Sequence, residues 1–143
     1  MIVFDANLLI YAYDGTSTHH TKARLWVENT FSGGDAVGLP WHAITAFLKI
    51  MTNKRLPGPR FTMEQATQIV DRWLGQPNVR TLVPGEHHWS VLKQMLIEGQ
   101  ASGALANDAQ IAALTIEYGG VLHTVDRDFA RFPGLRSLNP LTA

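Results

Sequence analysis

Cysteine is absent from the 143 residues of the chain. Its absence excludes disulfide bonds and thiolate metal sites, which leaves Asp, Glu, His and backbone oxygens as candidate metal ligands. The chain also lacks an excess of charge of either sign, because 12 basic residues balance 12 acidic residues. This balance argues against a protein that coats nucleic acid nonspecifically, since that behaviour depends on net positive charge.

Export signals and long apolar runs are missing as well. The start, Met-Ile-Val-Phe-Asp, has neither the basic region nor the long apolar region of a signal peptide. No stretch approaches the apolar length of a membrane span. We therefore expect a cytoplasmic protein without a membrane partner, folded as one domain over residues 1–143.

Short apolar stretches alternate with helical patterns along the chain. Strands are predicted over residues 2–4, 36–39, 79–83 and 121–125. Helices are predicted from about residue 7 and over residues 18–31, 41–53, 86–97 and 106–118. Thr62 with Glu64 and Gln65 indicates the capped start of a further helix that ends at Gly75. This alternation indicates an α/β fold around a short, mostly parallel sheet.

Two carboxylates follow predicted strands directly. Asp5 comes after the first apolar strand and Asp126 after the last one. In open α/β sheets ligands bind outside the carboxyl ends of the strands, so both acids are expected at one edge. A cation between them would relieve their repulsion, and Mg²⁺ prefers oxygen ligands of this kind. The alternative is that each Asp makes a turn or caps the next helix.

A third acid strengthens the metal hypothesis. Asp108 lies in the first turn of a predicted helix, where the helix dipole favours an anion. The same helix face carries Ile111, Ala112 and Thr115, which indicates that this face points inward. An inward carboxylate is costly unless it is paired, hydrogen-bonded or metal-bound. Asp128 adds an acid two positions beyond the last strand-end carboxylate, although a solvated turn explains it equally well.

Three blocks of sequence are distinctive in combination. They are Ile-Val-Phe-Asp-Ala-Asn-Leu-Leu-Ile-Tyr-Ala at 2–12, Asn-Asp-Ala-Gln-Ile-Ala-Ala-Leu at 107–114, and His-Thr-Val-Asp-Arg-Asp-Phe-Ala-Arg-Phe-Pro-Gly-Leu at 123–135. With these blocks, and with Asn-Pro-Leu at 139–141, the chain resembles the VapC toxins of the PIN-domain family. The resemblance covers essentially the whole chain.

The resemblance implies a PIN-like three-layer fold and a nuclease that hydrolyses RNA with Mg²⁺ or Mn²⁺. It implies transfer or ribosomal RNA as the substrate, and products with 5′-phosphate and 3′-hydroxyl ends. The catalytic residues implied are Asp5, Asp108, Asp126 and Thr124. The metal ligands implied are Asp5, Asp108, Asp126 and Asp128.

The resemblance also implies protein partners. A VapB-type antitoxin is expected to cover the acidic cleft with its C-terminal segment, often inserting an Arg among the carboxylates. A homodimer is expected too, and the apolar side chains of the first helix would suit its interface. These side chains are Leu8, Leu9, Tyr11 and Tyr13.

One departure from the family pattern concerns a second acid. PIN nucleases usually carry a Glu early in the helix after the second strand, but the matching stretch, Trp41 to Lys49, has no carboxylate, and Ala46 is the best match for that position. Three explanations stay open: some relatives tolerate the loss, Asp128 or Thr45 substitutes through water, or this copy is catalytically weak.

Basic residues are concentrated away from these acids in sequence. The segment between Asp35 and Glu64 has no acidic residue. It holds Lys49, Lys54, Arg55 and Arg60, which with Arg127 are candidate contacts to an RNA backbone. A solvated helix terminus explains the group of four equally well, since the helix dipole favours cations there.

Two other functions remain as alternatives. A haloacid-dehalogenase-like phosphatase would use Asp5 as its nucleophile, but that class usually needs Asp-x-Asp, and Asn7 occupies the third position here. A degenerate PIN module would bind RNA or a partner without cleavage, and the missing Glu favours it.

Overall fold

The computed structural model of the protein describes residues 1–142, which form a parallel sheet between two layers of helices. The strands are β1 (Ile2–Phe4), β2 (Val37–Pro40), β3 (Val79–Leu82), β4 (Val121–His123) and β5 (Ser137–Leu138). The helices are α1 (Ala6–Tyr13), α2 (His20–Phe31), α3 (Trp41–Met51), α4 (Met63–Leu74), α5 (His88–Glu98) and α6 (Leu105–Glu117). A short 3₁₀ helix spans Arg127–Arg131.

The strand order places β1 at the centre of the sheet. The order is β3-β2-β1-β4-β5, and every neighbouring pair is parallel. Val3 pairs with Gly38 on one side and with Leu122 on the other. Because the strands are parallel, the segments that follow β1, β2 and β4 emerge at the same edge of the sheet.

The central strand contributes side chains to a core on each face of the sheet. Phe4 packs with residues of α1, α2, α3 and α4, whereas Val3 packs with residues of α5 and α6. Both side chains are fully buried. This burial on two faces explains why β1 has a continuous apolar sequence, as parallel strands covered by helices usually do.

The structure confirms the predicted fold class and most of the predicted elements. Thr62 and Gln65 form a reciprocal capping box at the start of α4, as their spacing predicts. β4 ends at His123, two residues earlier than predicted. The two-residue β5 was not predicted, because so short an edge strand leaves no periodic pattern in the sequence.

The proposed use of α1 in a dimer interface is wrong for its central leucines. Leu8 and Leu9 are both 0% exposed, because they pack inside the core of this chain. A second copy of the chain therefore cannot contact them. Large apolar side chains that are exposed lie elsewhere, and they include Trp41, Trp89 and Ile97. Within residues 1–142, no helix has both the length and the apolar character needed to cross a membrane.

Truncation of the aromatic cluster under the sheet tests this packing. Phe47 is fully buried, and its ring centroid lies 4.6 Å from that of Trp73 and 5.5 Å from that of Tyr13. We expect Phe47→Ala to lower the free energy of unfolding by about 3–5 kcal/mol, because it removes apolar contacts and leaves a cavity. Urea denaturation measures the change. The matched control is Leu25→Ala, since Leu25 is 60% exposed, and it should change stability by less than about 0.5 kcal/mol.

Candidate active site

Asp5 is buried at the carboxyl end of the central strand. It directly follows β1 and is only 5% exposed. It precedes α1, yet its side chain makes no capping hydrogen bond to that helix. Instead its Oδ2 accepts a hydrogen bond from the Thr124 hydroxyl at 2.7 Å. Burial raises the pKa of Asp5, and the bond from Thr124 opposes that rise.

Thr124 connects two of the predicted site residues. Its side chain is buried, and its Oγ1 donates to Asp5 while accepting the backbone N–H of Asp126 at 3.0 Å. Its own backbone N–H donates to the carbonyl of Leu138, the last residue of β5. The hydroxyl is therefore held from both sides, and it fixes the rotamer of the Asp5 carboxylate.

Asp126 does not follow its strand as directly as the sequence suggests. It lies three residues beyond His123 and caps the 3₁₀ helix, where its Oδ1 accepts the backbone N–H of Asp128 at 2.8 Å. The capping alternative is thus observed for this residue. Asp126 nevertheless lies close enough to the other acids for its charge to help raise the pKa of Asp5 and of Asp108.

Asp108 completes the acidic cleft from the opposite layer. It is half-buried in the first turn of α6, and the neighbouring Ile111, Ala112 and Thr115 are buried, as the predicted inward face requires. Burial, followed by the charges of Asp5, Asp126 and Asp128, raises its pKa to about 6. The charges of Asp5, Asp126 and Asp128 act on Asp108, which places the four carboxylates in one region of the molecule. We call Asp5, Asp108, Asp126 and Asp128 the acidic cleft.

The acidic cleft fits a hydrated divalent cation. Within residues 1–142, no three or more Asp, Glu, His or Cys side chains are grouped so that together they could hold a metal ion. Mg²⁺ does not require such a group, because it commonly binds through one or two carboxylates and keeps several waters. Burial and then the charges of the other acids raise the pKa of Asp108, and a bound cation would relieve the part that is due to charge repulsion.

Arginines flank the cleft in two different ways. Arg131 is fixed by hydrogen bonds from its guanidinium to the carbonyls of Gly99 and Gln100, at 3.2 and 3.3 Å. Burial and the other acids raise the pKa of Asp108, and the charge of Arg131 opposes part of that rise. Arg127 is exposed beside Asp126 in the 3₁₀ helix. Both cations are therefore at the rim of the cleft.

The other basic candidates lie away from the acids. α3 starts at the acid-bearing edge and spans 11 residues, which is a length of about 16 Å. Lys49 lies in its last turn, and Lys54 and Arg55 follow it. Arg60 is in the next loop, where Gly58 packs against Thr16 beyond the end of α1. The group of four is thus at the far ends of α1 and α3.

Sequence reasoning left two side chains near the acids out of the site. Tyr11 extends from α1, and its phenol has a raised pKa because of burial and the nearby charges of Asp5 and Asp126. His42 is half-buried in the first turn of α3, and its charge opposes the raised pKa of Asp5. His42 could have been found from its position. It lies two residues after the end of β2, just as the start of α1 lies two residues after the end of β1.

The stretch expected to carry the missing Glu, Trp41 to Lys49, makes up most of α3. Ala46 is half-buried and packs against the core. Thr45 is exposed, and its hydroxyl donates to the carbonyl of Trp41 at 3.0 Å, within its own helix. Thr45 is therefore a poor substitute for the acid, and the polar side chain that α3 brings near Asp5 is His42.

Comparison with known proteins gives consistent results across sequence and structure. Residues 2–135 match the family described as the PIN domain. Ribonuclease VapC33 of Mycobacterium tuberculosis is 36% identical over 141 residues, which cover 99% of each chain. Ribonuclease VapC37 of the same organism is 36% identical over 137 residues, covering 95% of this chain and 94% of that one. The solved VapBC2 of Rickettsia felis, bound to a promoter DNA fragment, matches with a TM-score of 0.71 at 17% identity, over 97% of this chain and 98% of that one.

The raised pKa of Asp108 predicts how its replacement changes stability with pH. Between the ordinary value of 3.8 and about 6, the folded state holds a proton on Asp108 that the unfolded state has lost. This carboxyl therefore stabilises the fold fully below pH 3.8, and the contribution is lost as pH rises through about 6. Without divalent cations, Asp108→Asn should gain stability relative to the wild type as pH rises over that range.

Urea denaturation at a series of pH values in EDTA measures this difference. The control is Asp35→Asn, because Asp35 is exposed in a turn and has no side-chain hydrogen bond within residues 1–142; its difference from wild type should not vary with pH in this way. Mg²⁺ should reduce the advantage of Asp108→Asn by stabilising the ionised carboxylates of the wild type. A pH-independent difference for Asp108→Asn would contradict the assignment of this acid to the cleft.

Proposed function

The chain belongs to the PIN-domain family, and we propose that it is a divalent-metal-dependent endoribonuclease that hydrolyses RNA phosphodiester bonds. The observation that carries this proposal is the acidic cleft, in which Asp5 is buried and the pKa of Asp108 is raised to about 6 by burial and then by the charges of the other carboxylates. Relatives at 36% identity over nearly their full length are named ribonucleases, which supports RNA as the substrate class.

Each side chain of the site has a distinct role in this proposal. Asp5 and Asp108 are the principal metal ligands, and Asp126 and Asp128 add ligands or hold metal-bound waters. Thr124 is a positioning residue, because its hydroxyl orients the Asp5 carboxylate. Bound Mg²⁺ or Mn²⁺ would lower the pKa of an attacking water and neutralise charge that develops on the phosphate.

The basic side chains support RNA binding in two places, one beside the scissile bond and one away from it. Arg127 is exposed next to Asp126, so it can contact the phosphate at or beside the scissile bond. Lys49, Lys54, Arg55 and Arg60 lie at the far end of α3, so we propose that they contact the RNA backbone away from that bond. Transfer or ribosomal RNA stays the predicted substrate.

Protein partners and cellular context follow from the family in this proposal. Solved neighbours of the fold include VapBC toxin–antitoxin complexes, which supports neutralisation by a VapB-type antitoxin that covers the acidic cleft. A homodimer stays a prediction, with exposed apolar residues other than Leu8 and Leu9 available to form it. We also propose a cytoplasmic location and a single PIN domain over residues 1–143.

A non-cleaving PIN module is the second candidate. Two observations favour it: α3 has no carboxylate, and within residues 1–142 no three or more Asp, Glu, His or Cys side chains are grouped so that they could hold a metal ion. The haloacid-dehalogenase-like phosphatase is set aside, since the chain belongs to a different family. The two PIN alternatives differ in turnover, which a cleavage assay measures directly.

Replacement of the cleft acid tests the nuclease proposal. We expect purified protein to cut RNA with Mg²⁺ or Mn²⁺ and to leave 5′-phosphate and 3′-hydroxyl ends, which sequencing of the products identifies. Asp5→Asn should reduce cleavage to the level without metal, whereas Asp35→Asn should retain it. Thr124→Val should lose about 10–100-fold, since outer-shell partners of metal ligands commonly have effects of this size, and Thr124→Ser should retain most activity.

The same preparations separate the two candidates. Calorimetry with Mn²⁺ measures binding independently of turnover. Mn²⁺ binding that Asp5→Asn abolishes, without cleavage of total RNA by the wild type, would favour the non-cleaving module. Cleavage that survives Asp5→Asn would remove the metal-site hypothesis altogether.

Salt dependence tests the distal cations. Replacement of Lys49, Lys54, Arg55 and Arg60 by Gln should weaken RNA binding. It should also flatten the plot of log K against log salt, with the slope changing by about 0.7 for each lost phosphate contact with single-stranded RNA. Fluorescence anisotropy at several salt concentrations measures this slope. Lys93→Gln is the control, because Lys93 is an exposed cation of α5, and it should leave the slope unchanged. An unchanged slope for the fourfold variant would mean that these cations do not contact RNA.

A further inference from the structure

The tyrosines of the chain differ in how their hydroxyl groups are used. The sequence has 3 tyrosines. The Tyr118 hydroxyl donates to the carbonyl of Val83 at 3.0 Å, and the Tyr13 hydroxyl accepts the indole N–H of Trp73 at 3.4 Å. The Tyr11 hydroxyl has no hydrogen-bond partner within residues 1–142, and Tyr11 is half-buried. Among the three tyrosines, Tyr11 is therefore the one whose hydroxyl neither donates nor accepts a hydrogen bond within residues 1–142.

Helix geometry directs this free hydroxyl toward the acidic cleft. Tyr11 lies in the second turn of α1, and Asp5 immediately precedes that helix. Long side chains in a helix lean back toward its N-terminus, so the phenol extends over the first turn of α1. Burial, and then the charges of Asp5 and Asp126, raise the pKa of the phenol. The group consequently keeps its proton and stays a donor at neutral pH.

The ring of Tyr11 packs against the ring of His19. The ring centroid of His19 lies 5.0 Å from that of Tyr11, with an angle of 36° between the planes. His20 Nδ1 also donates to the Tyr11 carbonyl at 2.9 Å, which ties the start of α2 to α1. The tyrosine is thus pre-oriented, and binding a ligand would cost little side-chain entropy.

Neutral donors beside carboxylates suit an anionic or hydroxyl-rich ligand. A phosphodiester supplies non-bridging oxygens, and the adjacent ribose supplies a 2′-hydroxyl, both of which accept hydrogen bonds. Acids alone repel phosphate, so a donor at the rim of the cleft offers contact without adding negative charge. A purely structural role for the hydroxyl is not supported, since the folded chain gives it no partner within residues 1–142.

We propose that Tyr11 is a substrate-contacting residue. Its hydroxyl donates a hydrogen bond to the sugar-phosphate of the RNA nucleotide next to the scissile bond, and its ring packs against the ring of His19. This inference rests on the proposed nuclease function and adds a subsite to it. The subsite is made by α1 and the start of α2, rather than by the strand ends that carry Asp5 and Thr124.

The test removes one oxygen atom. Tyr11→Phe keeps the ring and its packing on His19, so it should fold normally while lowering kcat/KM for RNA cleavage by about tenfold or more, as loss of a hydrogen bond to a charged group does. Tyr13→Phe is the matched control, because it deletes a hydroxyl from the same helix whose bond to Trp73 is long. Tyr13→Phe should leave kcat/KM unchanged.

A binding measurement separates this inference from the proposed function. On the Asp108→Asn background, a labelled single-stranded oligoribonucleotide should bind with a Kd about tenfold higher when Tyr11→Phe is added. The thermal midpoint and the Mn²⁺ affinity of Tyr11→Phe should match the wild type, which excludes a structural or metal-site effect.

The outcomes have different meanings. Wild-type cleavage with unchanged kcat/KM and Kd for Tyr11→Phe would overturn the Tyr11 contact and leave the nuclease intact. An absence of wild-type cleavage, with RNA binding that still weakens in Tyr11→Phe, would overturn the nuclease and support the contact. A shifted thermal midpoint that accounts for the loss would also overturn the contact. Loss of both cleavage and RNA binding in the wild type would overturn both proposals.

Discussion

The hydrogen bond from Thr124 to Asp5 is the contact on which the site depends. It joins residues 119 positions apart, at the ends of the neighbouring strands β1 and β4. A buried carboxylate without a partner would be costly, and this hydroxyl reduces the cost while fixing the direction of the charge. The same hydroxyl accepts the N–H of Asp126, so the acids of the two strand ends are positioned together.

The acidic cleft lowers the stability of the free protein, and the same property favours the binding of a cation. Most side chains of the sheet and helices bury apolar surface, but Asp5 and Asp108 place carboxyl groups where burial and neighbouring charge disfavour ionisation. Such sites are where binding a cation yields most, because the repulsion that destabilises the free protein is relieved on binding. Arg131, held by helix-end carbonyls, offsets only part of this repulsion.

The sequence allowed the acids to be predicted better than their surroundings. Asp5 and Asp108 were found because a strand end and an inward helix face are local patterns, and the family resemblance added Thr124. The bond partner of Thr124 is a long-range contact that no local pattern encodes. Tyr11 has no local signal of this kind, since its apolar neighbours indicate an interface and the lack of a partner for its hydroxyl within residues 1–142 emerges only in the folded chain. Leu8 and Leu9 show the converse error, because an apolar helix face has the same sequence pattern whether a core or a partner covers it.

The parallel order of the sheet has a consequence for synthesis of the protein on the ribosome. The central strand is made first, yet its neighbour β4 and the outermost β5 come from the last quarter of the chain. Until residues 121–138 have emerged, Asp5 has no hydroxyl to orient it and no Asp126 beside it. A nascent chain therefore carries the first acid without an assembled cleft until residues 121–138 have been made, and any activity of the cleft begins only after that.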